Sequence, residues 1–121
     1  VWDAFLLGRA AITGNDSQIR DAQAQIIKEN LSKVIAERAI YYLNDAALHV
    51  DQSAAYFHSL SEGYGFIMSL QFTYTANGAP YFTNAEVNSM LDQLEAGNGF
   101  WDRTDAELYQ MALDIATVAG L

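Results

Sequence analysis

The chain has 121 residues with 51% apolar and 17% charged side chains, one Pro and eight Gly, which fits one globular domain and excludes disordered, collagen-like and low-complexity classes. Fifteen carboxylates against six cations leave a net charge of −9, and Arg9, Arg20, Lys28, Lys33, Arg38 and Arg103 are scattered singly, so neither nucleic acid nor an anionic membrane surface is an expected partner. Without cysteine there are no disulfides, thiolate zinc sites or cysteine nucleophiles, and no run approaches the ~20 apolar residues of a membrane span.

Residues 1–14 open with VWDAFLLGRAA, a segment rich in large apolar side chains that reads as the end of an upstream segment of a longer protein. Asn15-Asp16-Ser17-Gln18 offers an N-cap, and no Gly or Pro interrupts the chain from there to Asn44, which predicts a helix over about 16–44. Its expected buried stripe is Ile27, Leu31, Val34, Arg38 and Tyr41, widened by Ile19, Ile26, Ile35 and Leu43. Asp45 to Gln52 is a polar turn, and Asp51 or Ser53 can cap a second helix over 52–73. Phe57, Leu60, Tyr64, Ile67, Met68 and Gln71 mark one face of that helix. His58, Glu62, Gly65, Ser69 and Phe72 mark the next.

Residues 73–83, TYTANGAPYFT, carry Asn77-Gly78 and Pro80 as turn punctuation. A hairpin would need a third strand to be stable, so an ordered loop is the preferred reading. Thr83-Asn84-Ala85-Glu86 and Thr104-Asp105-Ala106-Glu107 are capping boxes that start helices over 84–96 and 105–119. Val87, Met90, Leu91 and Leu94 form the stripe of the first, and Leu108, Met111, Ala112, Ile115, Val118 and Ala119 that of the second. The expected fold is therefore all-α, an antiparallel four-helix bundle over residues 1–121.

Three positions draw attention chemically. His58 and Glu62 lie four apart on one helical face, the spacing at which two side chains reach one ion or each other. They are the candidate metal ligands, for iron or zinc, with Glu37 or Asp45 as the nearest further ligand. Arg38 falls within the apolar stripe, so a guanidinium there calls for a carboxylate, and the expectation is a polar cluster of Arg38, Glu62 and His58 beneath the aromatic loop. The alternative is an Arg38 that snorkels to water. Gly63 and Gly65, in mid-helix, suggest close approach of another helix. No phosphate loop and no nucleophile elbow is present.

The text from Tyr56 to Tyr74, then Pro80 to Leu94 and Gly97 to Leu108, resembles the C-terminal part of a family of uncharacterised imelysin-like bacterial envelope proteins, and Trp2 to Ile12 is similar to the segment just upstream in that family. The resemblance implies one half of a larger two-bundle helical protein, a periplasmic or outer-membrane-associated location, a lipid anchor outside this chain, and an association with iron acquisition. Imelysins proper carry Gly-x-His-x-x-Glu; here Ser61 stands where the Glu belongs after His58, and Ala55 or Tyr56 where the Gly belongs, so peptidase chemistry does not transfer. No catalytic residue is assigned. The expected function is a non-enzymatic helical binding or scaffold domain of an envelope protein. Its rivals are a metal-dependent hydrolase using His58 and Glu62, and a structural subunit whose partner, an upstream part of the same protein or another envelope protein, covers the Trp2 and Phe5 end.

Overall fold

The computed structural model describes residues 1–121, all of them helical or in the connections between helices. Five α-helices follow one another with no strand: α1 (Trp2–Thr13), α2 (Ser17–Leu48), α3 (Ala54–Ser69), α4 (Asn84–Glu95) and α5 (Asp105–Ala119). Single 3-10 turns, Leu70–Phe72 and Gly99–Asp102, extend α3 and bridge α4 to α5. The predicted 16–44 helix runs a turn further, to Leu48, and the opening segment is a helix of its own. The predicted 52–73 helix stops at Ser69, because Thr73 already has extended backbone and the 3-10 turn takes up the difference.

Local chemistry sets the starts. The Asp16 carboxylate accepts the Ile19 amide at 3.0 Å, and the Ser53 hydroxyl accepts that of Tyr56 at 3.2 Å. Both capping boxes form as read, Thr83 with Glu86 and Thr104 with Glu107. At the other end of α5, Gly120 adopts φ +68° and closes the last turn.

Packing is organised around α2, against which α1, α3 and α5 all lie, while α4 packs on α3. Pairs of neighbours give the directions. Only Gly14–Asp16 separate α1 from α2, and α1 packs back on it with Gly8 against Gln23, so α1 runs antiparallel to α2. Ser59 donates to Asp45 and Phe66 stacks on Tyr42, so α3 does too.

The core differs from expectation on α2. Its buried face is Ala36, Ala39, Leu43, Ala46 and Ala47, whose small side chains let neighbouring backbones come close, and Leu60, Ile67, Leu70, Leu94, Leu108 and Ile115 fill the space around it. Leu31, Val34 and Tyr41, expected inside, are about half exposed, at 51, 50 and 51%. The stripes predicted for α4 and α5 are buried as read, with Val118 the exception. Of the expected α3 face, Leu60 and Ile67 are fully buried, whereas Met68 points outward and Tyr56, Ser59 and Gly63 take the inner positions.

Candidate functional site

The α2–α3 surface holds the three residues singled out by sequence. His58 and Glu62 are both exposed on α3, and no hydrogen bond or ion pair within 4.0 Å joins them to each other or to Arg38. The Arg38 guanidinium lies instead over the rings of Tyr41 and Tyr42, 4.3 and 4.7 Å from their centroids. The expected ion-paired cluster is therefore replaced by a cation on aromatic faces. The reason is that the stripe holding Arg38 is not sealed from water, so no desolvation penalty demands a carboxylate, and a planar, weakly hydrated guanidinium gains from the two rings.

Tyr42 carries this surface across to α3, stacked on Phe66 at 5.6 Å and edge-on to His58 at 6.4 Å. Gly63 does meet α2, with the Tyr42 Cβ 3.4 Å from where its own Cβ would lie, but Gly65 faces open space. Only one of the two glycines thus marks close helix packing. As a ligand set, His58 and Glu62 lack a third member: no group of three or more His, Asp or Glu side chains is gathered anywhere in the chain. Asp45, one of the two further ligands considered, accepts the Ser59 hydroxyl at 2.5 Å, and Glu37 is exposed.

The aromatic loop 73–83 has the ordered, strandless form expected, but its bonds lead elsewhere. Buried Ser32 of α2 accepts the Tyr74 amide at 2.6 Å, Gln25 donates to the Thr75 carbonyl at 3.3 Å, and the Lys28 ammonium sits 4.8 Å from the Tyr74 ring centroid. Thr73 closes the loop, its hydroxyl donating to the Leu70 carbonyl and accepting the Tyr81 amide. The loop is anchored on the N-terminal half of α2, and no hydrogen bond ties it to His58 or Glu62.

The other distinctive stretch, Gly97 to Leu108, ties α4, α5 and α3 together. Arg103, with its side chain 10% exposed, donates to the carbonyls of Gln93 (2.5 Å), Ala96 (2.9 Å) and Gly99 (3.3 Å), and so satisfies the C-terminal end of α4. Asp102 accepts the Asn98 amide at 2.8 Å, a bond that holds its carboxyl below the usual carboxylate range. Gly97 has φ +68°, and a Cβ there would stand 2.4 Å from Asp102 Oδ2, so any other residue would be strained and would displace that carboxylate. Buried Tyr56 donates to the Phe100 carbonyl at 2.6 Å, and Gln52 to that of Trp101 at 3.1 Å. Sequence reading missed Arg103, because its acceptors are backbone carbonyls that any residue type supplies. The isolated basic residue between two helix signals was the only hint.

Exposed apolar side chains gather on the arm formed by α1 and the N-terminal half of α2. Only Ala4, Gly8 and Ala11 of α1 are buried. Trp2 remains 73% and Ile12 65% exposed, and Phe5, Leu6 and Leu7 are about half exposed. Between α1 and α2 runs an apolar groove of about 220 Å³, walled by Phe5, Ile12, Ala24 and Ile27 with Arg9 and Arg20 at its rim. The model of one protein family, described as a domain of unknown function (DUF4856), matches residues 1–121, the whole chain, and the chain belongs to that family. No curated protein and no solved structure matches it.

Proposed function

We propose that this DUF4856 domain is a non-enzymatic helical scaffold or binding module that works through its α1–α2 arm. The observation that carries this reading is α1 itself, a helix that buries only its small-residue face, Ala4, Gly8 and Ala11, and leaves Trp2, Phe5, Leu6, Leu7 and Ile12 exposed. Such a helix is stable in water only when something packs on its remaining faces. The core of the rest of the chain is closed, and no buried side-chain polar atom is left without a partner.

The arm corresponds to the Trp2 and Phe5 end expected to be covered by a partner. In this reading α1 and α2 form a helix pair on which a helix of that partner packs. Arg38, Tyr41, Tyr42 and His58 extend the same surface with a polar, aromatic margin. A role in the bacterial envelope is supported by the resemblance of Tyr56–Tyr74 and Gly97–Leu108 to envelope proteins, and no helix of the chain is long and apolar enough to cross a membrane.

A solvatochromic hydrophobic dye tests the reading. Dye fluorescence with the 121-residue chain is expected to fall severalfold in a Phe5→Gln/Ile12→Gln/Leu31→Gln variant whose thermal midpoint stays near that of the parent. Equal dye binding by parent and variant would refute the arm as a binding surface.

A further inference from the structure

The chain holds two Asn-Gly pairs, Asn77-Gly78 at the tip of the aromatic loop and Asn98-Gly99 between α4 and α5. Asn-Gly is the dipeptide in which a side-chain amide is most readily lost, because glycine has no Cβ to shield its nitrogen from the carbonyl carbon of the asparagine side chain. Both asparagines are exposed. In both pairs the glycine has positive φ, +82° and +68°, and donates its amide to a backbone carbonyl, of Thr75 at 2.9 Å and of Ala96 at 3.1 Å. The attacking nitrogen is thus held alike at the two places, and it is the side chains that differ.

At Asn77 the side chain folds forward over the peptide bond to Gly78. Its Oδ1 accepts the Ala79 amide at 3.1 Å, an Asx turn whose ring encloses the Gly78 nitrogen, and the Thr75 hydroxyl lies 2.5 Å from the same oxygen. That hydroxyl is also 2.7 Å from the Ala79 carbonyl, which already accepts the Thr75 amide at 3.0 Å, so its proton is free to turn to Asn77. Two donors therefore stand at the oxygen that becomes negative when Cγ is attacked. At Asn98 the arrangement is reversed. Nδ2 donates to both oxygens of Asp102, at 3.2 and 3.1 Å, and the Asn98 backbone amide donates to the same carboxylate at 2.8 Å, so the side chain folds back toward its own amide. A carboxylate on the nitrogen that must leave feeds electron density into the amide, and no donor stands at Oδ1.

We propose that Asn77 is a self-modifying site, which loses its side-chain amide through a cyclic imide with Gly78 and thereby loosens the 73–83 loop on α2. Hydroxide takes the Gly78 amide proton, and the nitrogen forms a bond to Asn77 Cγ. The tetrahedral adduct carries its charge on Oδ1, beside the Ala79 amide and the Thr75 hydroxyl. It collapses with cleavage of the Cγ–Nδ2 bond, and Nδ2 takes up a proton from water and leaves as ammonia. Water then opens the imide at either carbonyl, leaving aspartate or isoaspartate at position 77. Isoaspartate routes the main chain through Cβ and Cγ, so the Asx turn is lost and the turn closed by Thr75 and Ala79 lengthens. Those bonds set the Thr75 carbonyl where Gln25 donates to it, next to the Tyr74 amide that Ser32 accepts.

The 121-residue chain is aged in mildly alkaline buffer, cleaved after glutamate and followed by peptide mass. Peptides 63–86 and 96–107 separate the two pairs, and fragmentation places the change within each. Conversion at Asn77 is expected to run about tenfold faster than at Asn98 in the folded chain, and the two rates to converge in urea, where only the dipeptide counts. Thr75→Val should slow conversion at Asn77 severalfold and leave Asn98 as it was. Amide exchange over residues 73–83 is expected to quicken in the aged parent and not in Asn77→Gln aged alongside. Equal rates at the two asparagines in the folded parent, or a faster Asn98, would overturn the site. A Thr75→Val variant that converts like the parent would overturn the part given to the hydroxyl, and unchanged exchange after conversion would overturn the effect on the loop.

Discussion

The arm and the body of this molecule solve the same problem in opposite ways. The body, residues 39–121, holds the closed apolar core, with Leu48, Phe72, Trp101 and Leu113 left exposed outside it, and nearly all of its carboxylates face water. α3, α4 and α5 each begin with a side-chain cap, and Arg103 satisfies the open end of α4. In the arm, α1 has no side-chain cap and exposes most of its large apolar residues, and the net charge is zero. Repulsion among surface carboxylates keeps the body apart from its like, while a neutral, apolar arm has no such barrier to association. The contrast is the ground on which the arm is proposed as the binding surface.

The comparison breaks most visibly in stability. Leu60→Ala or Leu108→Ala, both fully buried in the body, should each cost about 2–5 kcal/mol in urea unfolding. Leu6→Ala or Leu31→Ala in the arm should change stability by no more than about 0.5 kcal/mol. Equal losses in the two regions would mean that the arm is sealed in the isolated chain.

A smaller effect separates two glycines two positions apart within α3. Gly65→Ala enters open space and should stabilise by about 1 kcal/mol through helix propensity alone. At Gly63 the new methyl meets Tyr42 Cβ at 3.4 Å, so the same substitution should be neutral or destabilising. Thermal midpoints of the two variants give the order directly.

The smallest effect concerns acid. Amide and hydroxyl hydrogen bonds from Thr83 and Thr104 hold the carboxyls of Glu86 and Glu107 below the usual range, the backbone amide contributing most. A carboxyl whose folded pKa is depressed stabilises the fold above its unfolded value of ~4.3 and loses that contribution as pH falls through the folded pKa. Glu86→Gln or Glu107→Gln should therefore flatten the acid limb of the stability curve in that window relative to the parent. Curves of the same steepness for the parent and both variants would show that the boxes contribute no pH dependence.

Much of the architecture was legible because its causes are local. A capping box closes within four residues, and the stripes of α4 and α5 lie on helices short enough to have one buried face, so Val87 to Leu94 and Leu108 to Ala119 could be read directly. The candidate site was legible only as a set of residue types. The Arg38 guanidinium lies over the rings of Tyr41 and Tyr42, one turn further along α2, because the surface is wet and no carboxylate stands within ion-pairing distance.

The amino-acid sequence by itself determined the helical class, the helix starts, the ordered loop and the acidic body, all of which come from periodicity, short-range hydrogen bonding and charge count. Only the tertiary structure decided which face of α2 goes inside. A helix of 32 residues with apolar side chains on several faces has more than one way to bury them. The alanine face won because small side chains allow α3 and α5 to approach closely, and that choice left the bulkier stripe of Leu31, Val34 and Tyr41 outward.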